Sequence, residues 1–117
     1  MLTPLELDIM KAVWRHAPIN VRGVQEAIRP ARKLAYTTVM TIMDRLYHKG
    51  FLTRKLKSRT HYYEPAIPYT EVRDAEVSRL IDNFFAGSRS GLMDFLDGGI
   101  PPHPVSLPNP ELDESLL

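Results

Sequence analysis

Four cations, Arg54, Lys55, Lys57 and Arg59, lie close together, and no acid follows them until Glu64. Guanidinium and ammonium groups in such a run can donate to phosphate oxygens, a chemistry that holds a polyanion without reading its sequence. A self-contained hairpin is poorly served by this arrangement, because like charges repel across its tip. An anionic partner relieves that repulsion. The other reading is a solvated edge hairpin whose cations discourage strand-to-strand aggregation. Just upstream, Thr37, Thr41, Asp44 and His48 fall on one face at helical spacing. Threonine hydroxyls there can hydrogen-bond base edges, and their methyls can touch thymine.

Such groups work only if rigid elements aim them. Ala35, Val39, Ile42, Met43 and Leu46 form the opposite, apolar face of the same helix and are expected to be buried. Lys49 suits the negative end of the helix dipole, and Gly50 is expected to stop the helix as a left-handed C′ residue. Residues 52–57 and 60–64, rich in Leu, Thr and Tyr around a polar tip at Ser58, read as two short strands. Earlier in the chain, Leu5, Ile9 and Val13, flanked by Met10 and Trp14, make an i, i+4 stripe that Thr3 can cap, Pro4 can open and Pro18 ends. Asn20 can cap a second helix with Val21, Val24 and Ile28 inward, closed by Pro30, and residues 31–34 link it to the third. Three helices and a hairpin in this order predict a winged helix-turn-helix, with the third helix for the major groove and the hairpin along the backbone. A plain three-helix bundle carrying a decorative hairpin fits the same pattern.

The chain of 117 residues is long enough for one ordinary domain with appendages. Its net charge of +1 conceals a polarity: residues 1–65 hold 12 Lys and Arg against 5 Asp and Glu, whereas residues 66–117 hold 3 against 9. The balances of +7 and −6 suit the first part, and not the second, to a polyanion. The absence of cysteine excludes disulfides and thiolate metal sites. No charged leader precedes an apolar stretch, and no apolar run approaches the roughly 18 residues that would span a bilayer. A cytoplasmic protein without membrane insertion is expected. No nucleophile elbow, phosphate loop or zinc-protease motif occurs, and His16, His48, His61 and His103 are scattered. Neither an enzyme nor a cofactor or metal site is expected. Asp44 and His48, at i, i+4, read as a local surface pair.

From residue 69 to residue 85 a further stripe of Tyr69, Val77, Leu80, Ile81 and Phe84 predicts a helix, with Glu71 and Asp74 near its start and Gly87 beyond its end. Its apolar face can fold back on the bundle or pair with a second copy of the chain. The second solution is preferred, since closed two-fold symmetry matches paired half-sites in DNA. Residues 88–96 add Leu92, Phe95 and Leu96 as a second dimer helix. The remainder, with five prolines in its last twenty residues and an acidic composition, reads as a tail. The expected fold class is mainly α with a small β-hairpin, a winged helix-turn-helix followed by C-terminal dimerisation helices. Its parts are a DNA-binding domain at 1–66, a helical dimerisation region at 67–97 and a flexible tail at 98–117.

The runs LTPLELDIMKAVW (2–14) and AYTTVMTIMDRLYHKGFLTRKLKSRTHYYEP (35–65), with AGS at 86–88, resemble the BlaI/MecI/CopY, or penicillinase-repressor, family of bacterial transcriptional repressors. The resemblance covers roughly residues 2–97. It implies a homodimeric repressor on a pseudo-palindromic double-stranded operator. The third helix then contacts bases through Thr37, Thr38 and Thr41, and the wing contacts phosphate through Lys57 and Arg59. Tyr36, Arg54 and Lys55 join the backbone contacts, within a wider pool that includes Arg22, Arg32 and Lys33. Val77, Leu80, Ile81, Phe84, Leu92 and Phe95 are the expected dimer interface. Copper-responsive members carry a C-terminal cysteine cluster that this chain lacks. Antibiotic-responsive members are released when a membrane sensor triggers proteolysis at an Asn-Phe bond. The nearest match here is Asp94–Phe95, with the local spacing one residue shorter, so a regulatory protease and β-lactam-response genes are what the resemblance implies for this site. A winged helix used only for protein–protein interaction is the competing reading, and the charge polarity counts against it.

Overall fold

The computed structural model describes residues 2–99. The acidic, proline-rich segment expected as a tail lies, from residue 100 onward, outside the described residues. The chain divides into two compact units between Arg73 and Asp74.

The first unit begins with α1 (Pro4–His16), α2 (Val21–Ile28) and α3 (Tyr36–His48). Each start has a local cause. The Thr3 hydroxyl accepts the Glu6 N–H at 3.1 Å while the Glu6 carboxylate accepts the Thr3 N–H at 3.0 Å, a reciprocal capping box with Pro4 at the first helical position. The Asn20 side chain accepts the Gly23 N–H at 2.8 Å to cap α2. Ala35 is the N-cap of α3 and has no side chain with which to cap it. It is exposed, not buried with the apolar face, because the helix face begins one turn later at Val39. Ile9, Met10, Val13, Val24, Val39, Met43 and Leu46 are wholly removed from water, each worth roughly 1.5–3 kcal/mol for a side chain of that size. Leu5 and Trp14 complete the α1 stripe at its partly buried margin.

α3 ends at Gly50, whose φ of +88° turns the chain so that the Phe51 N–H reaches the Leu46 carbonyl at 3.0 Å. β1 (Leu52–Lys57) and β2 (Thr60–Pro65) then pair antiparallel, with Leu52 opposite Pro65, Arg54 opposite Tyr63 and Lys57 opposite Thr60. The two-residue turn at Ser58 and Arg59, with φ of 52° and 65°, has the left-handed backbone that matches strand twist in tight hairpins. Ile19, between α1 and α2, exchanges backbone hydrogen bonds with Tyr63 at 3.1 and 2.8 Å, so the hairpin is sewn to the helices through β2. The first turn of α4 (Tyr69–Phe85) also belongs to this unit. The Trp14 indole donates to the Ile67 carbonyl at 3.0 Å, and its ring meets Tyr69 edge-on at 5.2 Å.

In the second unit, α4 closes where the Gly87 N–H bonds the Ile81 carbonyl at 3.1 Å, with Ala86 and Gly87 both at positive φ. The Ser88 hydroxyl accepts the Gly91 N–H at 2.9 Å and starts α5 (Arg89–Leu96). The Phe85 and Phe95 rings lie 5.8 Å apart and hold the two helices together. Ile81 is buried within its own chain, unlike Val77, Leu80 and Phe84, which are exposed.

Candidate nucleic-acid interface

α3 presents its polar face to solvent because its other face is consumed by the core. Thr37, Thr38, Thr41, Asp44 and His48 are all exposed. Tyr36 opens the helix half out of the surface, with the Arg22 guanidinium 5.9 Å from its ring centre. Between the start of α2, α3 and the hairpin lies an open hollow of about 600 Å³ to which Arg22, Tyr36, Thr41, Arg54, Arg59 and His61 contribute. Three backbone-contact candidates and one base-reading candidate therefore meet around one concavity, which is flanked by the exposed threonines of the first turn.

The wing cations do not form a single set. Side chains alternate along a strand, so Leu52, Arg54 and Leu56 take one face of β1 while Lys55 and Lys57 take the other. Lys55, Lys57 and Arg59 are exposed. Arg54 is half-buried, donates to the Asp44 carboxylate at 3.0 Å and lies 4.0 Å over the Tyr47 ring. Tyr63, opposite it in the hairpin, holds its pKa above the ordinary value against partial burial, and Asp44 adds to that. Asp44 is met from a second side by His48, whose Nδ1 is 3.5 Å from the carboxylate and 2.8 Å from the Asp44 carbonyl. The expected Asp44–His48 surface pair thus exists, joined by a cation ten residues further on.

Behind the interface, Glu6 is buried at 2% exposure and lies 3.2 Å from the Lys49 ammonium and 3.8 Å from the Arg45 guanidinium. Burial pulls its carboxyl upward, but the Thr3 backbone N–H and Lys49 bring it below the usual carboxylate range. Arg32, from the wider pool of cations, is held at 2.6 Å by Asp8. Sequence reasoning missed Glu6 as a buried charge, the Arg54 clamp and the Ile19 bridge. Only the clamp left a readable signal, since strict alternation from Leu52 puts residue 54 on the core side. Among the described residues, no cluster of His, Asp or Glu could hold a metal ion, and no helix is long and apolar enough to cross a membrane.

The sequence profile of the penicillinase repressor family matches residues 2–98. The chain belongs to that family. Penicillinase-repressor proteins are transcriptional repressors and not enzymes, which agrees with the missing catalytic motifs. The chain is 26% identical over 97 residues to the penicillinase repressor of Bacillus licheniformis, a match spanning 82% of this chain and 76% of that protein. It is 43% identical over 65 residues to the transcriptional regulator BlaI of Mycobacterium tuberculosis, covering 55% of this chain but only 47% of that regulator. Among solved structures, the monomeric form of Bacillus licheniformis BlaI in complex with the blaP half-operator superposes with a TM-score of 0.52 at 28% identity, over 61% of this chain and 87% of that one. The DNA-binding domain of the repressor BlaI gives 0.54 over the same shares. The winged-helix fold expected for this penicillinase-repressor protein is the fold those structures share.

Proposed function

We propose that this repressor acts by occupying a pseudo-palindromic double-stranded operator as a homodimer in the cytoplasm. The observation that carries the reading is the exposed polar face of α3 beside a basic wing, in a chain whose family neighbour was solved on a half-operator. Thr37, Thr38 and Thr41 read base edges, where short side chains let the helix backbone approach the groove. Tyr36, Lys55, Lys57 and Arg59 set register on phosphates. Val77, Leu80, Phe84, Leu92 and Phe95 pair with a second copy, linking two half-sites that are individually weak. Ile81 supports that surface from within its own chain.

Release follows cleavage between Asp94 and Phe95 by a regulatory protease. Both residues are exposed on α5, an eight-residue helix too short to be stable without its packing. Cutting there removes Phe95 from its ring contact with Phe85 and loosens the pairing of an intact winged unit. Genes of the β-lactam response are the expected targets. Duplex binding titrated against salt tests the reading: counterion release gives a steep fall of affinity with salt, whereas a protein-only docking module gives none. Mass analysis of the chain from β-lactam-treated cells tests the release step, and an intact chain that nonetheless leaves its operator would defeat it.

A further inference from the structure

We propose that Arg54 is a positioning residue that neutralises Asp44 on the docking face of α3 and ties the wing to that helix, making no phosphate contact itself. The inference rests on the operator-binding reading. Asp44 shares its helix face with Thr37 and Thr41 and is 52% exposed, so its carboxylate would confront the phosphates of any docked duplex. Such a charge must be neutralised. The Arg54 guanidinium does so at 3.0 Å, from the strand that leads out to the wing tip. His48 is also close, but an imidazole carries charge only when protonated, while a guanidinium is charged at every working pH.

The surroundings of Arg54 fix it where it is. The guanidinium stacks 4.0 Å from the Tyr47 ring centre, its side chain is 25% exposed, and Tyr63 stands directly across the hairpin. Tyr63 is also the residue that Ile19 bridges. One arginine therefore joins α3, β1 and, through β2, the entry to α2. Lys55, Lys57 and Arg59 are exposed, the last two at the tip beyond this contact, and are the wing groups available to phosphate.

Binding of the full chain to a random-sequence duplex, measured between about 50 and 200 mM salt, separates the two roles. Lys57→Gln should flatten the slope of log affinity against log salt by about one unit. Arg54→Gln should lower affinity about tenfold with the slope unchanged within about half a unit, because no counterion-releasing contact is lost. Asp44→Asn/Arg54→Gln should recover to within about threefold of the wild type, since the carboxylate that needed neutralising is gone. Asp44→Asn alone, a conservative change at an exposed site, should raise random-duplex affinity by about threefold or more at low salt. A slope loss in Arg54→Gln equal to that in Lys57→Gln, a double variant as weak as Arg54→Gln, or no gain in Asp44→Asn would each overturn the assignment. Should Arg54→Gln fail to fold, as read by its near-ultraviolet dichroism, the Asp44→Asn measurement decides. A wild type without salt-dependent binding would remove the operator reading itself, whereas steep wild-type binding with Arg54→Gln resembling Lys57→Gln removes only this role.

Discussion

The Glu6 carboxylate and the Lys49 ammonium meet at 3.2 Å across 43 residues of chain, and the carboxylate is 2% exposed. One side chain thus caps α1 from within and pins it to the end of α3, the helix whose other face carries the candidate base contacts. Removing it leaves a cap and a buried pair undone together. Glu6→Ala is expected to cost about 1–3 kcal/mol in urea unfolding at neutral pH. The same pair sets a pH dependence. The folded carboxyl is depressed, so its contribution is complete above the unfolded glutamate value of about 4.3 and is lost as pH falls through the lower folded value. Stability measured between neutral pH and about pH 3 should therefore fall less steeply in Glu6→Gln than in the wild type. Parallel curves would show that the pair contributes nothing.

Gly50 holds φ at +88° with no atom within 4 Å of where a Cβ would stand. Gly50→Ala should therefore cost only the left-handed backbone penalty, about 1–2 kcal/mol, with no clash added. Thermal melting reads this directly. An unchanged midpoint would mean that the α3–β1 junction can relax to a different turn.

Thr37→Ala or Thr41→Ala should weaken operator binding by about 1–3 kcal/mol while leaving random DNA nearly unaffected. Paired titrations on both duplexes check it. Equal losses on the two would assign these hydroxyls to phosphate, not to bases.

On the second unit, Ile81 and Phe84 separate two effects that a helical stripe alone merges. Phe84 is 72% exposed and Ile81 is 9% exposed. Phe84→Asp should shift sedimentation toward the monomer with little loss of helicity, whereas Ile81→Asp should melt the unit by burying an unpaired carboxylate. A Phe84→Asp chain that stays dimeric would place the pairing surface elsewhere.

What could be read from the chain alone follows periodicity. The apolar rows of α1, α2 and α3, the two strands around Ser58 and the stop at Gly50 depend on near neighbours, and they lie where the pattern put them. Ala35 broke the row because a helical face has no meaning before the first full turn. Glu6 left no signal as a buried charge, since only folding brings Lys49 to it. Ile19 left no signal because a single bridging residue has no period. Among the wing cations, charge alone made four residues look alike, and the pleat of the strand set Arg54 apart from Lys55 and Lys57.

Selection of bound sequences from a random duplex pool by the full chain bears most directly on operator recognition by a paired winged helix. Enrichment of two inverted half-sites, with centres separated by about one helical turn or a multiple of it, is the expected result. A pool that stays random, or a lone half-site without its inverted partner, would contradict it.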